Sequence, residues 1–268
     1  MIFFLAMSIV NDGIVKTVRI NSEERTNPTG TASNNFTVSL GSDTQLADIN
    51  RIAIKSISIP NTQYNIKSSG AHANNVFSFD NGAPQSITIP AGFYDIASIA
   101  AAIMADPVAV ADGLSIAFNT VTKHFDFTST NPISYLSAAS GNIMAEVLGI
   151  TANSAPLVLS FSAGGLPNLA VHPNIYVTSR ALSDGSAMIS PTLGSIPVCA
   201  VVPIDQPFGG IINYVVRQEH LDDIHYISYS HGKTLQSVDL QLYDGDAQLI
   251  NMQGLDWTFV FRAYQTPP

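Results

Sequence analysis

The chain has 268 residues, 46% of them hydrophobic and only 12% charged, with a formal net charge of −9. Its eleven Lys and Arg are scattered, with no run longer than two, which excludes a phosphate-binding face built from clustered cations. So little charge calls for a surface rich in Ser, Thr, Asn and Gln, or one covered by neighbours, and the single cysteine, Cys199, excludes an intrachain disulfide framework and suits folding in a reducing compartment.

Read in chain order, Met1–Met7 is apolar but too short for a membrane span or a full signal segment. Residues 1–15 are therefore expected to form an N-terminal arm on a neighbouring subunit, with Met7 as an alternative translation start. Runs rich in Ile, Val, Phe, Thr and Tyr then predict strands over Val15–Ile20, Phe36–Leu40, Arg51–Ile59, Ile87–Ile89, Leu114–Asn119, Phe125–Ser129, Ile175–Ser179, Pro197–Ile204, Ile211–Val216, Leu235–Tyr243 and Trp257–Tyr264. In Arg51–Ile59 the isoleucines and the polar residues fall largely on opposite faces, as a half-buried strand requires. Asp-Gly and Asn-Gly pairs and Pro60, Pro90, Pro173 and Pro203 punctuate the runs. Asn35-Phe36-Thr37 matches a glycosylation sequon but lies at a strand start with no export signal ahead of it.

One helix is clear. Ile96, Ile99, Ala100, Ile103 and Met104 follow helical spacing, Asp95 suits the N-cap and Asp106-Pro107 stops the helix after Ala105. A second short helix is expected over Ile143–Leu148. The stretches Lys67–Asn75 and Ser160–Pro167 read as linkers around an inserted segment. The expected architecture is mainly β: a single jelly roll, an eight-stranded antiparallel β-sandwich, from 16–66 and 168–268, with a small α+β subdomain over 67–167.

Four stretches carry a family likeness: Ile20-Asn-Ser-Glu-Glu-Arg25 with Ser33-Asn-Asn-Phe-Thr-Val-Ser-Leu40; Ile52–Ile66 with Ser58-Ile-Pro-Asn-Thr-Gln-Tyr-Asn65; Ser86-Ile-Thr-Ile-Pro-Ala-Gly-Phe-Tyr-Asp95; and Ile196–Phe261, including Pro203-Ile-Asp-Gln-Pro-Phe-Gly209, Ser237-Val-Asp-Leu-Gln-Leu-Tyr-Asp244 and Asp256-Trp-Thr-Phe259. Together they resemble the penton proteins of virophages, polinton-like viruses and related large icosahedral double-stranded DNA viruses. The resemblance implies a non-enzymatic capsid protein of the virion, a homopentamer at the fivefold vertices, assembled inside the host cell. Its implied partners are its own copies, the neighbouring major capsid protein and minor capsid proteins, and a fibre or host receptor reached through the insertion, with no nucleic acid and no membrane span. Another minor jelly-roll capsid protein, or a lectin-like attachment module using Phe93-Tyr94-Asp95 or Tyr135, is the alternative.

No catalytic, cofactor or metal residue is assigned. His220, His225 and His231, with Glu219, Asp222 and Asp223, suggest a cupin-type metal site, but on a strand His220 and His225 face opposite ways and His225 and His231 lie about 20 Å apart. A polar loop is the expected reading. Cys199 sits in an apolar run and is expected to pack rather than react. Phe208-Gly-Gly-Ile211 and Ala163-Gly-Gly-Leu166 lack the lysine or spaced glycine of a nucleotide loop and suit a bulge or bend. Among Asp43, Asp48, Asp80, Asp244, Asp246 and Asp256, the Asp244-Gly-Asp246 pair offers oxygens for calcium, but a β-turn explains it. Trp257 is expected to anchor the core or a subunit contact.

Overall fold

The period-two runs pair antiparallel throughout. The structure, a computed structural model, describes residues 6–10, 13–25, 33–40, 46–69, 73–135, 143–154, 157–170, 172–183, 187–190, 194–216 and 226–265. With strands numbered in chain order, one sheet runs β1 (Ala6–Val10), β2 (Gly13–Asn21), β16 (Thr258–Gln265), β4 (Ile49–Pro60), β13 (Ile211–Val215), and β14 (Tyr226–Lys233) also pairs with β4. A second runs β11 (Ala187–Ser190), β12 (Gly194–Pro203), β10 (Asn174–Thr178), β15 (Ser237–Tyr243), β3 (Asn35–Ser39). The chain crosses between them from β2 to β3, from β3 to β4, from β12 to β13, and again around β15. These alternating crossings make the double Greek key of a jelly roll.

The core of this sandwich depends on a parity change in β4. Ile52 and Ile54 are buried, and so are Ile57 and Ile59, although three steps separate Ile54 from Ile57. Strict alternation would turn one pair outward. The register against β16 shifts there, from Val260 opposite Ser56 to Phe261 opposite Ile54. Exposed Lys55 is thus the extra residue of a bulge that keeps both isoleucine pairs facing Phe259 and Phe261.

Two compact units result, one from Met1–Gln63 with His172–Pro268 and the other from Tyr64–Val171. The second has its own sheet, β6 (Pro84–Thr88), β5 (Val76–Asp80), β8 (Phe125–Tyr135), β7 (Ser115–Phe118), with β9 (Val158–Ser162) pairing with β8. Its core joins Phe77, Phe79, Phe125, Phe127 and Tyr135 to Ile99 and Ile103 of α1 (Ile96–Met104) and to Met144 near the start of α3 (Ile143–Val147). Asp95 caps α1 reciprocally with Ser98. Pro107 ends that helix and also opens α2 (Pro107–Ala111), because proline at N1 forfeits no intrahelical bond.

Three expectations need correction. Residues 6–10 and 13–15 do not lie apart as an arm: β1 pairs with β2 from Ala6 opposite Thr17 to Val10 opposite Gly13. An edge strand is held by backbone bonds and needs no alternating pattern to show for it. Ser160–Ser162 is the end of β9 rather than linker. The unit boundaries fall at 64 and 171, slightly outside 67 and 167.

Candidate assembly surfaces and polar clusters

Because β13, β4 and β16 turn their apolar residues inward, their alternate residues form rows on the outer face. These rows run Ile211 and Pro60; Asn213, Ser58 and Thr258; Val215, Ser56 and Val260. None of the eight is charged. Ile211 is 57% and Val215 61% exposed, while the Ser58 hydroxyl donates to Asn213 Oδ1 at 3.0 Å. Charge lies beside these rows, at exposed Arg19, which pairs with Val260 from β2, at Arg262 further along β16, and at Lys55 on the bulge. On the second sheet, Ile196, Tyr243, Ala247 and Tyr176 form a small separate apolar cluster, with exposed Val201 opposite Tyr176.

Two polar clusters tie distant segments of the jelly roll together. At the start of β16, Trp257 N–H donates to Ser22 Oγ at 2.9 Å, and Ser22 Oγ donates to Asp256 Oδ1 at 2.6 Å. Arg25 Nη1 reaches Asp256 at 3.3 Å and the Ser22 carbonyl at 2.8 Å. Trp257 itself is buried, its Nε1–H donating to the Ser33 carbonyl at 2.6 Å and its ring edge-on to Phe36 at 5.7 Å, so it is a core anchor. In the second cluster, buried Asn61 donates to the Gln206 carbonyl at 2.8 Å, and its own carbonyl accepts from Gly209 N–H at 2.8 Å. Gly209, at φ +81, turns the chain in the conformation that glycine tolerates best.

The sequence-stated candidates scatter. Glu219, His220, Asp222, Asp223 and His225 lie outside the described residues, and His231 is on β14. Cys199 is half-buried, its thiol donating to the Val177 carbonyl at 3.3 Å, so it packs on the core from β12. Phe93 is 44% exposed, but the Tyr94 hydroxyl donates to the Pro90 carbonyl and the Asp95 carboxylate serves the α1 cap. Bonds from Ser98 hold the Asp95 carboxyl below the usual carboxylate range. Tyr135 is fully buried and is therefore corrected: it is a core residue, unable to offer a face to a glycan. In Ala163-Gly-Gly-Leu166, Gly165 N–H donates to the Gly149 carbonyl at 2.9 Å, and a Cβ on Gly149 would lie 2.3 Å from the Gly165 carbonyl oxygen. That glycine pair marks a close backbone approach, not a ligand cradle.

Asp244 and Asp246 sit in the turn after β15, where Asp244 Oδ1 accepts the backbone N–H groups of Asp246 at 3.0 Å and Gln248 at 2.9 Å. The sequence reading missed their companion. His172, just before β10, places Nε2 2.6 Å from Asp246 Oδ2. Seventy-four residues separate the two, and only the pairing of β10 with β15, Tyr176 opposite Tyr243, brings them together.

No protein-family model matches the sequence, and no curated protein matches it. Among solved structures, the crystal structure of the SeMet-labelled mavirus penton protein aligns with a TM-score of 0.51 and 11% sequence identity, over 93% of this chain and 99% of that one. No helix among the described residues is long and apolar enough to cross a membrane. With its strand order and that alignment over nearly the full length of both chains, this chain has the jelly-roll fold of a viral penton protein.

Proposed function

We propose that the chain is a structural capsid protein, a penton that forms homopentamers at the fivefold vertices of an icosahedral double-stranded DNA virus. The observation that carries this reading is the likeness to the mavirus penton protein over 93% of the chain. A fold alone does not name a function, so the surface matters too. Twelve per cent charged residues and the uncharged rows on β13, β4 and β16 suit a protein whose sides are covered by neighbours. On this reading the protein acts in the virion without catalysis, after assembly inside the host cell. It meets its own copies, the major capsid protein and minor capsid proteins, and the unit 64–171 is the place for a fibre or receptor contact.

Native mass spectrometry and negative-stain microscopy of the purified protein test this. A five-copy ring that persists in about 0.5 M salt is expected, since screening weakens exposed ion pairs but not apolar and hydrogen-bonded contacts. A protein that stays monomeric at all concentrations overturns the pentamer. The double variant Ile211→Asp with Val215→Asp should abolish the ring and leave the monomer folded, because both side chains are more than half exposed.

A further inference from the structure

Beyond the capsid role, we propose that His172, Asp244 and Asp246 form a divalent transition-metal site that takes a Zn²⁺- or Mn²⁺-like cation. One ligand atom from each, the imidazole nitrogen and a carboxylate oxygen of each aspartate, lies within 4.8 Å of the other two. The donors come from two segments that share no local turn, so the cluster is a product of the tertiary fold.

Three features make the site built rather than incidental. Asp244 is only 5% exposed, and the two backbone N–H groups that its Oδ1 accepts fix the orientation of the carboxylate. Such outer-shell bonds are how ligating carboxylates are aimed. Gly245, between the aspartates, lets the imidazole lie against the turn, since a Cβ there would meet His172 Nδ1 at 2.6 Å. Finally, two carboxylates held this close bring two negative charges into a partly buried place, which a divalent cation neutralises in full.

The donor set selects the metal. Calcium wants six to eight oxygens, whereas one imidazole nitrogen with two carboxylates suits a borderline cation with three protein ligands and an open position. The calcium reading of Asp244-Gly-Asp246 therefore gives way once His172 is included. Tetrahedral bonds of about 2.0–2.2 Å would set the ligand atoms roughly 3.3 Å apart. Loading then parts the His172–Asp246 pair, 2.6 Å apart, by about 0.7 Å and draws the wider separations in. The side chains of His172 and Asp246, 32% and 19% exposed, have room to move.

The test is calorimetric titration of chelator-treated, full-length protein with ZnCl₂, MnCl₂ and CaCl₂, with metal content measured after dialysis. Zn²⁺ or Mn²⁺ should bind at this site at one per chain, and Ca²⁺ should give no comparable heat. His172→Gln keeps a donor for Asp246 but not the imidazole; it should retain the wild-type circular dichroism and lose that binding. Asp246→Asn should weaken it at least roughly 10–100-fold, the range that loss of an outer-shell partner alone already costs. His220→Ala with His225→Ala should leave it intact. Unchanged binding in His172→Gln, a preference for Ca²⁺, or no Zn²⁺ or Mn²⁺ binding at about 100 μM (a free energy of about −5.5 kcal/mol) overturns the site and leaves a His–Asp contact that only closes the turn.

Discussion

The phenol of Tyr135 lies at the centre of the second unit, with ring centroids 5.0 Å from Phe127 and 5.2 Å from Phe161. Burial pushes it up to about 12, against a weaker opposing pull from the nearby Ser129 hydroxyl. Among the described residues, neither hydroxyl has hydrogen-bond geometry to a partner. The folded value lies above the unfolded one near 10, so the neutral phenol's contribution is intact below about pH 10 and is lost as pH rises through about 12. Tyr135→Phe is accordingly expected to match or slightly exceed the wild type at neutral pH, since it removes a buried hydroxyl without a partner. Above about pH 10 the wild type should progressively lose up to about 2 kcal/mol that the variant keeps. Urea melts across that range measure the difference; parallel curves would refute the assignment. Tyr243, raised in the same direction by burial, adds an alkaline sensitivity of the same sign in both proteins.

Strands announce themselves where one face is buried and the other wet. Each of the eleven expected runs coincides with a strand, and α1 and α3 begin where helical spacing placed them. Illegible were β1, β5, β9, β11 and β14, which are short, at edges, or mixed in polarity, so that backbone pairing rather than side-chain period defines them. The bulge in β4 was equally hidden, because Lys55 looks like an ordinary outward residue. It yields a sharp expectation. Deleting Lys55 removes the extra residue, and in the shortened strand plain alternation alone puts Ile52, Ile54, Ile57 and Ile59 on one face, so the deletion variant should stay soluble and folded. Lys55→Ala, which keeps the backbone count, should melt within a few degrees of the wild type. Loss of folding in the deletion variant beside a folded Lys55→Ala would show that Lys55 is not the extra residue, and that the parity argument fails. The metal cluster was half legible for a related reason: Asp244-Gly-Asp246 is a local motif, whereas His172 joins it only through the β10–β15 pairing.

At the scale of the whole molecule, each unit carries its own hydrophobic cluster, Phe259, Phe261, Trp257 and the β4 isoleucines in one, the Phe77–Tyr135 aromatics in the other. The jelly roll is interrupted once, between Gln63 and His172. Replacing Tyr64–Val171 by a short Gly-Ser linker should therefore leave it folded, since closure entropy changes slowly with loop length. Circular dichroism and a cooperative melt of the excised protein check this. A molten product would show that the sandwich needs the insertion to fold.

Separate cores also shape how such a chain varies. Substitutions with no shared partners usually combine additively, so a change at Phe261, in one cluster, and one at Phe77, in the other, should add in their effects on stability. Residues 64–171 can then vary at one rate and the jelly-roll residues at another, on one continuous gene.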